Sequence, residues 1–190
     1  MKLERVLPYM RTLLQATLSK GDLAIDATVG NGNDTLFLSQ LVGESGHIYG
    51  FDIQEQAILS TTKLLETHNV YNGVTLYQAS HDTIIDTIPT ELHGHIKAAV
   101  FNLGYLPGGN KEIVTKPTST IQALEQLLSV LTVGGIIIIV IYSGHPEGKI
   151  ERDEILHYAS TLNQKDASVL QYKFINQINN PPFIIAIEKR

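Results

Sequence analysis

A chain of 190 residues, 43% hydrophobic and 17% charged, has the size and composition of one folded domain, residues 1–190, and not of a disordered polymer. Fourteen Lys and Arg against nineteen Asp and Glu leave a net charge of −5, which opposes non-specific wrapping of nucleic acid but leaves room for a local basic patch. The absence of cysteine excludes disulfide frameworks, thiolate zinc sites, iron–sulfur clusters and cysteine nucleophiles together.

Leu3, Val6, Leu7, Met10, Leu13, Leu14 and Leu18 recur at spacings of three and four, which predicts a helix within residues 1–19, packed on the domain. Charges at Lys2, Glu4, Arg5 and Arg11 interrupt any signal-peptide core. The longest greasy run, Ile136 to Ile141, is far short of the roughly 20 residues that span a bilayer, so a cytoplasmic protein with no membrane contact is expected.

After the turn at Lys20-Gly21-Asp22, Leu23 to Ala27 reads as a strand. The Gly-rich stretch Gly30 to Asn33 opens a helix from about Asp34 to Leu41, with Leu36, Phe37 and Leu38 inward. His47 to Phe51 is a second strand ending at Asp52, followed by a helix from about Gln54 to Thr67. Val74 to Tyr77 and Ala98 to Phe101 are the third and fourth strands. Pro117 suits a helical first turn, and Ile121, Leu124, Leu127, Leu128 and Leu131 form that helix's buried stripe. Gly134-Gly135 leads into the apolar, β-branched strand Ile136 to Tyr142, and a helix from about Glu151 to Leu162 follows.

The last two strands, Val169 to Ile175 and Phe183 to Ile187, are too close for a crossover helix and should pair antiparallel. The expected fold is therefore α/β and Rossmann-like: a seven-stranded, mostly parallel sheet with helices on both faces and a C-terminal antiparallel hairpin. Nicotinamide-binding domains usually continue with parallel strands, whereas class I methyltransferases of S-adenosylmethionine (SAM) close with such a hairpin.

The segment D-A-T-V-G-N-G-N-D, Asp26 to Asp34, ends the first strand, where an open α/β sheet binds its ligand. Gly30 and Gly32 let the backbone turn sharply and a ligand approach. Thr35 stands where the dinucleotide fingerprint needs its third glycine, and Asp26 would set a carboxylate beside a pyrophosphate. Asp26 suits instead a ligand with an ammonium group, as in SAM. Asp52 can accept hydrogen bonds from ribose hydroxyls, with an N-cap role as the plain alternative. Ser80 and His81 follow the third strand, where adenine contacts sit in this architecture.

Asn102-Leu103-Gly104-Tyr105-Leu106-Pro107 follows the fourth strand. A carboxamide oxygen and the next backbone carbonyl there can accept hydrogen bonds from a substrate nitrogen and aim its lone pair at a methyl carbon. The pattern resembles the Asn/Asp-Pro-Pro-Tyr motif of amino-group methyltransferases, with Leu103 and Gly104 in place of the prolines. Tyr105 can stack on a base or shield the cationic product. His145, in Y-S-G-H-P-E-G, could take the proton that an alkylamine must shed, and Tyr142 could line the site. Gly108 to Lys111 and Lys116 form a partly basic lip which, with Arg5, Arg11, Lys149 and Arg152, could contact RNA phosphates. His93 and His95 have no evident third ligand, so no metal is expected. Three readings stay open on the residues alone: an N-directed methyltransferase of RNA or of a small amine, a non-catalytic module binding an adenosine ligand or RNA, and, disfavoured by Asp26 and Thr35, a nicotinamide oxidoreductase.

The set D-A-T-V-G-N-G-N-D-T, F-D-I-Q, A-S-H-D, N-L-G-Y-L-P-G-G-N-K and Y-S-G-H-P-E-G resembles the bacterial methylases of YtqB or MnmM type, first labelled as rRNA methylases, over essentially the whole chain. That resemblance implies a SAM-dependent enzyme, releasing S-adenosylhomocysteine (SAH), that acts on the anticodon arm of tRNA. Its reaction would convert the wobble 5-aminomethyl-(2-thio)uridine to the 5-methylaminomethyl form. By the same motifs Asp26, Asn31, Gly32, Asn33, Asp52, Gln54, Ser80 and His81 would hold the cofactor, with Thr28, Gly30, Asp34, Thr35, Ile53 and Asn102 of the same segments. Asn102, Gly104 and Tyr105 would meet the target nitrogen and base, flanked by Lys111, Lys116, Tyr142, His145 and Arg152. A homodimer is expected, since a small enzyme gains grip on RNA from a second subunit.

Overall fold

The computed structural model describes the chain except Met1, Tyr105, Pro107, residues 109–113 and His145, and the side chain of Pro146. Seven strands run β1 (Leu23–Asp26), β2 (His47–Asp52), β3 (Val74–Gln78), β4 (Ile96–Leu103), β5 (Leu131–Ile141), β6 (Ala167–Tyr172) and β7 (Phe183–Lys189). They form one sheet in the order β3-β2-β1-β4-β5-β7-β6. The first five are parallel, and β7 pairs antiparallel with both β5 and β6. The chain works outward from β1 to β3 and then jumps back to β4, so the order reverses between β1 and β4. That reversal opens a crevice at the carboxyl ends of these two strands.

The α-helices are α1 (Val6–Thr17), α2 (Asn33–Val42), α3 (Glu55–Thr67), the single turn α4 (Ile84–Thr87), α5 (Pro117–Val130) and α6 (Pro146–Thr161). The period-two alternation of β5 explains its unbroken apolar run. Ile137, Ile139 and Ile141 enter the core under α4–α6, while Ile136, Ile138 and Val140 enter the one under α1–α3. Helix α1 buries Val6, Met10 and Leu14 against the second core. It is pinned at the sheet edge by Tyr9 stacked on Tyr172, ring centroids 3.9 Å apart, and by the Tyr172 hydroxyl donating to the Glu4 carbonyl at 2.8 Å.

Several expected boundaries move. Strand β4 runs two residues beyond its predicted end, so Asn102 lies inside the strand, in register with Val140. Leu131 belongs to β5 rather than to the preceding helix. The register slips between Ile96 and Ala98, and the positive φ of Gly134 (75°) lets the strand pass through the two glycines that were expected to precede it. Helix α6 starts at Pro146, whose missing N–H costs nothing in a first turn. Strand β6 stops at Tyr172 instead of Ile175. Leu3 and Leu7 stay exposed; Leu3 precedes the helix, and Leu7 turns to the rim of the crevice.

Candidate functional site

A cavity of about 990 Å³ occupies the crevice, at the upper end of the range for small-molecule sites. Thr28, Gly30, Asn31, Asn33 and Asp34 line it from the β1–α2 loop, Asp52, Ile53 and Gln54 from the end of β2, and Ser80 and His81 from the end of β3. Asn102, Gly104, Lys116 and Tyr142 line the opposite, β4–β5 side.

The loop is shaped by two left-handed glycines, Gly30 (φ 55°) and Gly32 (φ 79°), which any other residue would occupy under strain. Their surroundings differ. A Cβ on Gly32 would lie 2.6 Å from the Thr61 hydroxyl oxygen, so this glycine lets the loop pack on α3 and does not open space for a ligand. Gly30 is the one on the cavity wall. Its N–H donates to Asp52 Oδ2 at 2.9 Å, while the Gln54 N–H donates to Asp52 Oδ1 at 2.9 Å. A carboxylate offers about four acceptor directions, so these two bonds fix Asp52 and leave lone pairs for two vicinal hydroxyls. Asp52→Ala is expected to weaken SAM binding by about 1–3 kcal/mol, or roughly 10- to 100-fold, read by calorimetry; unchanged affinity removes Asp52 from the site.

Three of the expected cofactor residues do not reach the wall: Asp26, Gly32 and Thr35 are absent from it. Asp26 is wholly buried under the loop, where the Thr28 N–H (3.2 Å) and the Thr35 hydroxyl (2.6 Å) donate to its two oxygens. Burial, reinforced by the nearby Asp34 carboxylate, pushes its pKa up to about 7 against the pull of those hydrogen bonds. Asp26 therefore lies beneath the floor of the site and not on its wall. Thr35 is its hydrogen-bond partner, which is why a hydroxyl stands where a dinucleotide loop carries glycine.

His81 is buried with its ring edge-on to Phe101, and Nδ1 donates to the Ala27 carbonyl at 3.2 Å. Burial lowers its pKa, which keeps the ring neutral, and Nε2 is left as a buried acceptor with no described partner. An orphaned acceptor on a cavity wall is matched by an amino donor such as that of adenine. Together with the Asp52 diol acceptors, it makes this half of the cavity fit an adenosine.

Across the crevice, the Asn102 N–H donates to Thr28 Oγ1 at 2.7 Å, tying β4 to the loop. The Asn102 carboxamide Nδ2 donates to Asp34 at 2.8 Å, which fixes the amide's orientation and leaves Oδ1 without a described donor. Tyr142 lies close by, its phenol pushed up by burial and by the Asp34 charge. The backbone after Asn102 is also clamped. Gly104 donates to Thr115 Oγ1 at 3.0 Å and accepts from the Thr115 N–H at 3.0 Å. The Thr115 and Thr120 hydroxyls in turn donate to the buried Glu151 of α6 at 2.6 and 2.8 Å. Neither Thr115 nor Glu151 carried a sequence signal, because a lone acid in a polar helix looks solvated. Arg11, expected only as a phosphate contact, lines the cavity from α1 beside Leu7. Arg152 does not: it pairs with Asp153 at 2.7 Å, away from the wall. Tyr105, Lys111 and His145 lie outside the described residues.

The family described as "Putative rRNA methylase" matches residues 48–188. A chloroplastic tRNA (mnm5s2U34)-methyltransferase of Arabidopsis thaliana is 34% identical over 92% of this chain, and the chain spans 66% of that protein's length, just under two thirds. Among solved structures, a "putative rRNA-methylase" from Clostridium thermocellum is 42% identical, with a TM-score of 0.96 and full coverage of both chains. A "putative methyltransferase" from Streptococcus mutans, solved in complex with SAH, is 39% identical, with a TM-score of 0.89 over 99% of each chain. The fold is that of class I SAM-dependent methyltransferases, as the closing antiparallel pair predicted.

Proposed function

We propose that this chain, which belongs to the rRNA methylase family, is a SAM-dependent N-methyltransferase that converts the wobble 5-aminomethyl-(2-thio)uridine of tRNA to its 5-methylaminomethyl form. The observation that carries this reading is the Asn102 carboxamide. It is held by Asp34 with its oxygen unclaimed by any described donor, across the crevice from the acceptors of Asp52 and His81. The substrate reading leans on the Arabidopsis relative, and the cofactor reading on the SAH complex of the Streptococcus relative.

Bound SAM supplies a methyl group already activated by its sulfonium. The chain's own residues then have modest tasks. Asp52 and His81 fix the adenosine, and Asp26 under the loop places negative charge below a cationic ligand. The amine arrives as an ammonium and releases one proton to solvent at the open mouth before attack; Asn102 Oδ1 accepts from a remaining N–H and so points the freed nitrogen lone pair along the crevice. The Thr115–Glu151 clamp keeps the backbone at Gly104 from moving away from that line, and Lys116 and Arg11 put positive charge at a mouth open to RNA phosphate.

The test is methyl transfer from labelled SAM to tRNA that lacks only the final methyl group. Label incorporation at the wobble nucleoside is the expected result, and none is expected into tRNA already methylated there. Transfer to rRNA or to a free amine, with tRNA untouched, rejects the substrate. No transfer to any fraction rejects an enzyme and leaves a binding module.

A further inference from the structure

We propose that Asp34 and Asn102 form an ammonium-selective subsite, through which the protein tells an aliphatic amine from the uncharged nitrogens of RNA bases. The inference deepens the function proposed above and rests on it.

Asp34 belongs to the loop expected to hold cofactor, but its partners lie on the other side of the crevice. Its carboxylate accepts from Asn102 Nδ2 at 2.8 Å on β4, and Arg11 on α1 approaches to 3.8 Å. Its charge is felt by Tyr142, just past the end of β5. The ribose-side groups, by contrast, stand on β2 and β3, beyond β1 in the sheet. Asp34 thus faces the half of the cavity where an acceptor must enter.

The chemistry of the pair is specific. The Asp34 carboxylate has one described hydrogen bond, since Arg11 at 3.8 Å is beyond hydrogen-bonding range, so most of its acceptor directions are unused. Asn102 Oδ1 is a neutral acceptor beside it. A primary ammonium carries three N–H donors and a full charge, and can place one donor on each oxygen. An exocyclic amino group of adenine or cytosine carries no charge, so it would desolvate the carboxylate without neutralising it.

The test compares two anticodon stem-loops, identical except for a 5-aminomethyl or a 5-methyl group on the wobble uridine, binding to the SAH-loaded protein by fluorescence anisotropy. The wild type is expected to prefer the aminomethyl RNA by about tenfold or more, the size of one charged hydrogen bond. Asp34→Asn is expected to reduce that preference below about threefold, with affinity for SAH and for the 5-methyl RNA within about twofold. Arg11→Ala separates the alternatives: it removes the cation beside Asp34, so the preference is kept or widened.

A tenfold preference surviving in Asp34→Asn overturns the proposal, as does its loss in Arg11→Ala. Loss of SAH binding in Asp34→Asn also overturns it and returns Asp34 to the cofactor. A wild type that methylates tRNA without any preference sinks the subsite alone, whereas a preference without methyl transfer sinks the proposed function alone.

Discussion

Replacing Asn102 with alanine is expected to lower the methyl-transfer rate by about 10²- to 10³-fold while leaving SAM affinity within about threefold. The Asn102 backbone N–H, which holds the loop through Thr28 Oγ1, survives the substitution. The adenosine-side groups Asp52 and His81 lie across the cavity and keep their partners. What disappears is the carboxamide oxygen proposed to align the amine, an interaction that matters when nitrogen, carbon and sulfur must become collinear. Such a loss lowers kcat and kcat/KM together.

Single-turnover transfer of labelled methyl groups, beside calorimetry of SAM binding, separates the two quantities. A variant that loses SAM affinity as steeply as rate would show Asn102 to be a cofactor residue. Asn102→Asp sharpens the test, because it retains an oxygen but replaces the donor held by Asp34 with a second carboxylate. Two such groups at hydrogen-bond distance cannot both stay ionised, so this variant is expected to be at least as slow as the alanine.

How much of this arrangement could be read from the residues depends on the range of each signal. The sheet was legible because β-branched runs, helical stripes and the short joint before Phe183 are local patterns. The strand ends were not, since β4 extends to Leu103 through pairing with Ile141, a partner 38 positions along the chain. The meeting of Gly30 and Asp52 was legible because glycine loop and acid stand at a spacing set by one β–α–β unit. The burial of Asp26 was not legible: sequence shows a carboxylate at a strand end, but only the packed loop shows that Thr28 and Thr35 cover it. The Asp34–Asn102 contact joins residues 68 apart and the Thr115–Glu151 contact residues 36 apart, and neither has a motif. Such pairings exist only once α2, β4 and α6 have met.

The buried Asp26 has a thermodynamic consequence with a definite sign. Its carboxyl holds a proton up to about pH 7 in the folded protein, but in the unfolded chain it releases the proton near the ordinary 3.8. Between those values the folded state binds more protons than the unfolded one, so its contribution to stability is greatest below about pH 4 and is lost as the pH rises to about 7. The full loss is of order 4 kcal/mol, a large share of a domain's net stability.

Asp26→Asn removes the titration and keeps both hydrogen bonds available, since its oxygen can accept from the Thr28 N–H and its amide can donate to the Thr35 hydroxyl. Urea unfolding of the ligand-free proteins is expected to give similar stabilities near pH 4 and an advantage for the variant that grows to a few kcal/mol by pH 8. Affinity for SAM should show the opposite preference. In the wild type it rises as Asp26 ionises beneath a cationic ligand, and in the variant that rise is absent. If the two stability curves run parallel from pH 4 to 8, Asp26 keeps its ordinary carboxylate range in the folded protein, is ionised throughout, and gives SAM affinity no rise with pH.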